Sequence, residues 1–476
     1  MNKSRCFRAL CILAAAALAP GVSAAASLLE IYQQALQSDP LIHEAEARRL
    51  ASLEAAPQAR GLLLPQVTAN ADWTKSESSG TSIREDAAGN FAPIPGAAES
   101  ETTRWQFSLT QTLFRWDQIV GLRRADKLVA KAEADREAAQ QDLIVRVTQR
   151  YFDVLAAEDQ LRAIHANRTA IARQLEQAKQ RFEVGLIAIT AVQESQAAYD
   201  QAVADEIAAK RFLATAREFL REITGEYVSQ LAAPGDDLPL NTPQPSDEAS
   251  WINLAMDQNL SLVSARLDER LARDEISFRR NGYYPSIELV ASSGEFDSDE
   301  TRSVFNGPFN PADSEGRTDS IGVQFTIPLF AGGVTSSRVR EAVYLHRASR
   351  ENLQRVTRAT ERQARDAYLG VLSEISRVKA LEQAVASSRT ALEATQAGFE
   401  VGTRTIVDVL NAQFALYQSI TNYYQSRYDY VLNVMRLKQA AGNLQVQDLE
   451  ALEQYLVDRK TPEQEFAEEA SGGEQP

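Results

Sequence analysis

The sequence predicts a mainly α-helical chain with a smaller β part, built as two tandem repeats. Three observations carry that prediction. Sliding the 476-residue sequence on itself by about 217 to 220 residues brings many landmarks into register. Asp39-Pro40 falls on Asn259-Leu260, Leu64-Pro65 on Tyr284-Pro285, Tyr151 on Tyr368, Phe182 on Phe399 and Gly225 on Gly442. Second, the stretches from Gly96 to Ala233 and from Leu329 to Thr461 contain no proline and carry apolar heptads. Third, four segments, two in each repeat ahead of its heptads, alternate apolar and polar residues at strand period.

Residues 1–24 read as a secretory signal. Lys3, Arg5 and Arg8 form a basic start, Ala9 to Ala19 an apolar core, and Val22-Ser23-Ala24 a small-residue cleavage site. The core is too short to span a bilayer. Cys6 and Cys11, the only cysteines, lie inside this segment, so the mature chain has neither a disulfide scaffold nor a thiolate metal site. The net charge of −15 becomes −18 once the three signal cations are removed, which argues against a nucleic-acid partner.

The first repeat, 25–228, opens with an amphipathic helix over about 28–61, broken at Pro40 and Pro57. Val67, Ala69, Ala71 and Trp73 then alternate with polar residues. A polar loop is expected from Ser76 to Glu101, and a second strand carries Trp105, Phe107 and Leu109. Val147, Val154, Leu161, Leu175 and Phe182 repeat every seven residues, interrupted only at Arg168, as in a coiled-coil seam. A helix from Trp116 to Glu183 would be about 100 Å long. Val184-Gly185 turns the chain, because glycine lets a helix end in a left-handed conformation, and a second helix returns to about Gly225. A proline-rich linker, 229–250, leads to the second repeat, 251–442, with the same order of elements. There the strands carry Ile287/Leu289/Ala291 and Ile321/Val323/Phe325/Ile327, an acidic loop is expected over 294–319, and the tip is Val401-Gly402. Residues 443–476 form an acidic tail, expected to be disordered after about 461.

Four strands and two long hairpins leave open sheet edges and an uncovered apolar seam. Several chains sharing one barrel and one helical tube would cover both; two chains would just close a barrel, and three, with about twelve strands, would leave an aqueous channel. An enzyme finds little support. His43, His165 and His346 lie far apart without metal spacing, and no phosphate-binding glycine loop or nucleophile elbow appears, so no cofactor is expected. The competing non-enzymatic reading is a periplasmic adaptor or structural coiled-coil protein with a soluble β-domain.

From Leu29 to about Leu452 the chain resembles the trimeric outer-membrane efflux and secretion channels of the TolC family. The most specific parts are Arg181-Phe182-Glu183-Val184-Gly185-Leu186, Leu63-Leu64-Pro65-Gln66, Ile327-Pro328-Leu329-Phe330-Ala331-Gly332-Gly333, and Val401-Gly402-Thr403-Arg404-Thr405-Ile406-Val407-Asp408. The resemblance implies a homotrimer with a shared twelve-stranded barrel in outer-membrane lipid and an α-helical tunnel through the periplasm. It also implies a periplasmic adaptor (membrane fusion) protein and an inner-membrane transporter of ABC, RND or MFS type as partners.

The same resemblance makes the tips a gate. Arg404 and Thr190 match one closing link, and Asp408 matches an acidic ring. A second link, tyrosine to aspartate, is replaced by Phe399 and Ala191, and a second acidic position by Asn411, whose repeat equivalent is Glu194. Val184, Gly185, Leu186, Val401, Gly402 and Thr403 match adaptor-contact positions. On spacing alone these residues have plainer readings: Arg404 and Asp408 a surface pair, Thr405/Asp408 and Thr190/Gln193 capping boxes, and Glu194 a solvated helix face.

Overall fold

The computed structural model describes residues 25–85, 89–235, 237–304, 308 and 310–472. The expected signal at 1–24 and the last four residues of the expected tail lie outside the described residues.

Ser27 and Glu30 form a reciprocal capping box that starts α1 (Leu28–Ser38). It is followed by α2 (Pro40–Leu53) and α3 (Ala55–Gly61). Pro40 breaks the helix as expected, but the second break falls at Glu54. Pro57 sits in the first turn of α3, where its missing N–H has no partner to lose. Then come β1 (Gln66–Glu85), β2 (Phe91–Phe114), α4 (Trp116–Glu183), α5 (Ile189–Thr224) and β3 (Ala233–Pro234). The second repeat gives α6 (Glu248–Gln258), α7 (Leu260–Arg279), β4 (Ser286–Val304), β5 (Asn310–Pro311), β6 (Ser314–Thr326), α8 (Val334–Glu400) and α9 (Ile406–Ala441). The chain then forms α10 (Val446–Glu453), β7 (Leu456–Val457) and α11 (Pro462–Gly472).

The polar loops expected at 76–101 and 294–319 are largely strand. β1 and β2 pair without a shift from Gln66↔Thr110 to Glu85↔Phe91, and β4 pairs with both β2 and β6. The apolar alternation stops while the ladder continues, because cross-strand polar pairs such as Ser76–Ser100 and Thr102–Ser298 take over from apolar packing. Pro93 and Pro95 are tolerated because β2 has no β4 partner before Gly96.

The tail is also more ordered than expected. α10 buries Leu449 and Leu452, and α11 is a helix whose Phe466 packs on the main core. Its acidic residues find cations about 250 to 300 positions away, Arg217 and Arg162, which no local composition can show.

The chain divides into two compact units. One comprises 48–133 and 264–354. Its antiparallel sheet has the order β1-β2-β4-β6, with short β5 also on β4. Odd-numbered positions share one face. Val67, Leu109, Ala291 and Ile321 form one row, and Ala69, Phe107, Ser293 and Asp319 the next. The opposite face is polar, with Thr68, Ser108, Ser292 and Ser320 in one row. Below the sheet, Lys131–Asp268 (2.6 Å) and His346–Glu269 (2.7 Å) join the helices.

The other unit comprises residues up to 47, 134–263 and from 355 onward. Its core collects Leu28, Ile31 and Tyr32 of α1, Leu143, Val147, Val154 and Leu161 of α4, Leu213 and Leu220 of α5, and Val371 and Val378 of α8. The repeat-related tyrosines do matching work. Tyr151 donates its hydroxyl to the Ala232 carbonyl, and Tyr368 donates to Ser246, so each pins a piece of the chain between the repeats. Burial pushes the Tyr151 hydroxyl pKa well above its ordinary value, so it remains a donor.

Candidate functional site at the hairpin tips

Both helical hairpins turn by the same backbone device. In the first, Gly185 has φ 76°, its N–H bonds to the Phe182 carbonyl (2.9 Å), and the Leu186 N–H reaches back to Arg181 (2.8 Å). In the second, Gly402 has φ 78°, its N–H bonds to Phe399 (3.1 Å), and the Thr403 N–H reaches Gly398 (2.8 Å). Both are Schellman turns. Open space surrounds the two glycines, so conformation and not crowding calls for glycine.

The chains restart differently. In the second tip Thr405 caps α9: the Asp408 N–H donates to Thr405 Oγ1 (3.3 Å), and the Thr405 N–H and hydroxyl each donate to Asp408 Oδ2 (2.9 Å). Those two bonds from Thr405, with the nearby Arg404 charge adding, hold the Asp408 carboxyl below its usual range. The first tip has no such cap. Thr190 and Gln193 do not form the expected capping box, because α5 begins at Ile189 with Ala188 in the cap position. An apolar cluster anchors this tip instead, with Ile187 and Tyr199 packed on Leu175, Ala178 and Val192.

The remaining candidates lie near these starts. Thr190, Glu194, Arg404 and Asn411 are exposed; Ala191 and Phe399 are half-buried. Among the described residues no hydrogen bond joins Arg404 to Thr190 within the chain. The Arg404 side chain folds over Gly398, where an added Cβ would lie 2.8 Å from its Cγ. Val184, Leu186 and Val401 are 70%, 73% and 76% exposed, so both turns present apolar side chains outward.

Two contacts between the hairpins carry no sequence signal. The Arg181 guanidinium of α4 lies 5.1 Å from the centre of the Phe399 ring of α8, a cation–π arrangement. Farther from the tip, the buried Gln413 amide of α9 donates to both the carbonyl and the side-chain oxygen of Asn167 on α4, at 3.2 Å each. Their positions are 246 residues apart in the chain.

Comparison with known proteins gives consistent matches. The outer membrane efflux protein family matches in two pieces, 31–226 and 251–443. The outer membrane protein TolC of Vibrio cholerae is 38% identical over 427 residues, covering 89% of this chain and 92% of that protein. The alkaline protease secretion protein AprF of Pseudomonas aeruginosa is 29% identical, covering 92% of this chain and 89% of that one. Among solved structures, the Campylobacter jejuni CmeC outer membrane channel superposes with a TM-score of 0.70 at 15% identity, over 90% of each chain.

Proposed function

The chain belongs to the outer membrane efflux protein family and is an outer-membrane channel-tunnel of the efflux and secretion class; on that premise we propose that its two hairpin tips form a gated periplasmic aperture. The family is one of channels and not of enzymes, and its match decides against the soluble adaptor reading.

The observation that carries the shared channel is the open sheet. Among the described residues β1 and β6 each have one partner, and around the row of Val67, Leu109, Ala291 and Ile321 one face is apolar and the other polar, so the sheet is a wall segment awaiting copies of itself. Three chains would give a barrel of about twelve long strands, with the odd face toward lipid and the polar face lining an aqueous lumen. The repeat bounds 25–228 and 251–442 fit one barrel segment and one hairpin each.

At the aperture, Arg404 of one copy links to Thr190 of its neighbour, both being exposed and, among the described residues, without a mutual bond inside one chain. Asp408, fixed by its capping box, forms an acidic ring. Glu194 supplies the second ring in place of Asn411. Phe399 and Ala191 remove the second polar lock, and the Arg181–Phe399 stack supports closure by packing at that position. The outward Val184, Gly185, Leu186, Val401, Gly402 and Thr403 receive a periplasmic adaptor, which joins the channel to an inner-membrane ABC, RND or MFS transporter.

Gel analysis of outer-membrane fractions tests the assembly. A heat-modifiable trimer is expected, and a monomer after mild extraction would overturn the shared barrel.

A further inference from the structure

We propose that α11 is a removable strap that clamps α4 to α5 in the first hairpin. Its contacts reach both helices. Glu463 pairs bidentately with Arg217 of α5 (2.8 and 3.2 Å), and Glu465 pairs with Arg162 of α4 (2.8 Å). The Phe466 ring stacks on His165 of α4, with centres 3.6 Å apart and planes at 19°. Thr461 and Pro462 are buried at the start of the helix, and Thr461 and Gln464 cap it reciprocally. Burial pushes the Glu463 carboxyl up, but the Arg217 pair outweighs it and holds the group below its usual range.

The strap is removable because its departure strands no charge. Arg162 also pairs with Asp159 (3.2 Å) and Glu158 (3.7 Å), Arg217 with Glu158 (3.1 Å), and His165 with Glu206 (3.4 Å), all within the first hairpin. Loss of a buried ion's only partner would be costly; here Arg162 and Arg217 each keep one, and His165 keeps its bond to Glu206. Approach of the strap is fixed upstream, where β7 pairs with β3 and Arg459 bonds Asp159 (2.6 Å).

The second hairpin carries other residues at the strap's docking positions. Lys379, Glu382 and Val434 occupy the positions equivalent to Arg162, His165 and Arg217. What lies on it is the segment between the repeats, held by bonds between Tyr430 and Asn241 and from Tyr368 to Ser246, by the Arg365–Glu248 ion pair (2.6 Å) and by a bond from Arg427 to the Gly235 carbonyl. The strap therefore stiffens the first hairpin, and with it the first hairpin's half of the aperture. That consequence rests on the gating proposal; the docking itself does not.

Hydrogen exchange on the purified full assembly tests it, comparing wild type with a chain ended after Lys460 and with full-length Glu463→Gln/Glu465→Gln/Phe466→Ala. Exchange across 158–168 and 206–220 is expected to quicken about tenfold in both variants, with α8 and α9 unchanged and the assembly size retained. Unchanged exchange at those segments would overturn the strap. Loss of folded assembly in the full-length variant would also overturn it, making α11 a part of the core. Failure of the gate variants to open the channel would leave this exchange result standing, so the two proposals fail separately.

Discussion

The two hairpin tips share a backbone and differ in what holds them. Each has a left-handed glycine and the same pair of Schellman bonds. The first is anchored by an apolar cluster around Ile187 and Val192, whereas the second is anchored by the Thr405–Asp408 box with Arg404 alongside. Apolar anchoring is indifferent to ions and pH; a charged cap is not. Duplication thus supplied two equal turns, and divergence placed the responsive chemistry on the second.

Paired substitutions at repeat-related positions sharpen that contrast. The largest stability difference is expected at Gln413 and its counterpart Gln196. Gln413 is buried and bridges to Asn167, while Gln196, among the described residues, bonds to Asp200 on its own helix. Gln413→Leu should cost about 1 to 3 kcal/mol in thermal or denaturant unfolding, against less than roughly 0.5 kcal/mol for Gln196→Leu. Equal losses would erase the distinction between the two hairpins at this level.

Smaller effects follow at the helix starts. Thr405→Ala should destabilise the beginning of α9 by about 1 kcal/mol, and Ala188→Ser should give α5 a cap it lacks and slow amide exchange there. A gain in both variants would contradict the capping geometry. The pH response has a definite sign. The folded-state pKa of Asp408 lies below its ordinary value, so the cap is intact above the usual aspartate range near about 4 and is lost as pH falls through the depressed value. Exchange at the start of α9 should quicken over that acid range, and that at the start of α5 should not. Asp408→Asn should abolish the difference.

The smallest expected change concerns ion block. If Glu194 completes the acidic aperture, Glu194→Gln lowers sensitivity to trivalent cations in bilayer recordings, and Asp408→Asn lowers it further in the double variant. An unaltered block after Glu194→Gln would return that residue to the solvated helix face.

Much of this architecture is written locally in the chain. The helix limits at Glu183, Gly225 and Gly442 follow from heptads ending at glycine, and the Thr405–Asp408 box follows from its spacing. Other features depend on distant partners. Strand residues around Glu77 and Glu99 lack alternation because polar pairing sustains the ladder there. α11 looks too polar to fold until Arg162 and Arg217 are beside it. Thr190 misleads because Ile187 packs inward and shifts the helix start to Ile189, and Arg181–Phe399 joins residues that only the packing of α4 on α8 brings together.

Single-channel conductance of purified protein in planar bilayers is the most direct test of the gate. Wild type should conduct weakly, and Arg404→Ser with Thr190→Val should raise the open level or its occupancy by about tenfold, the effect of removing a charged hydrogen bond from the closed state. Conductance equal to wild type in that double variant would take Arg404 and Thr190 out of the aperture.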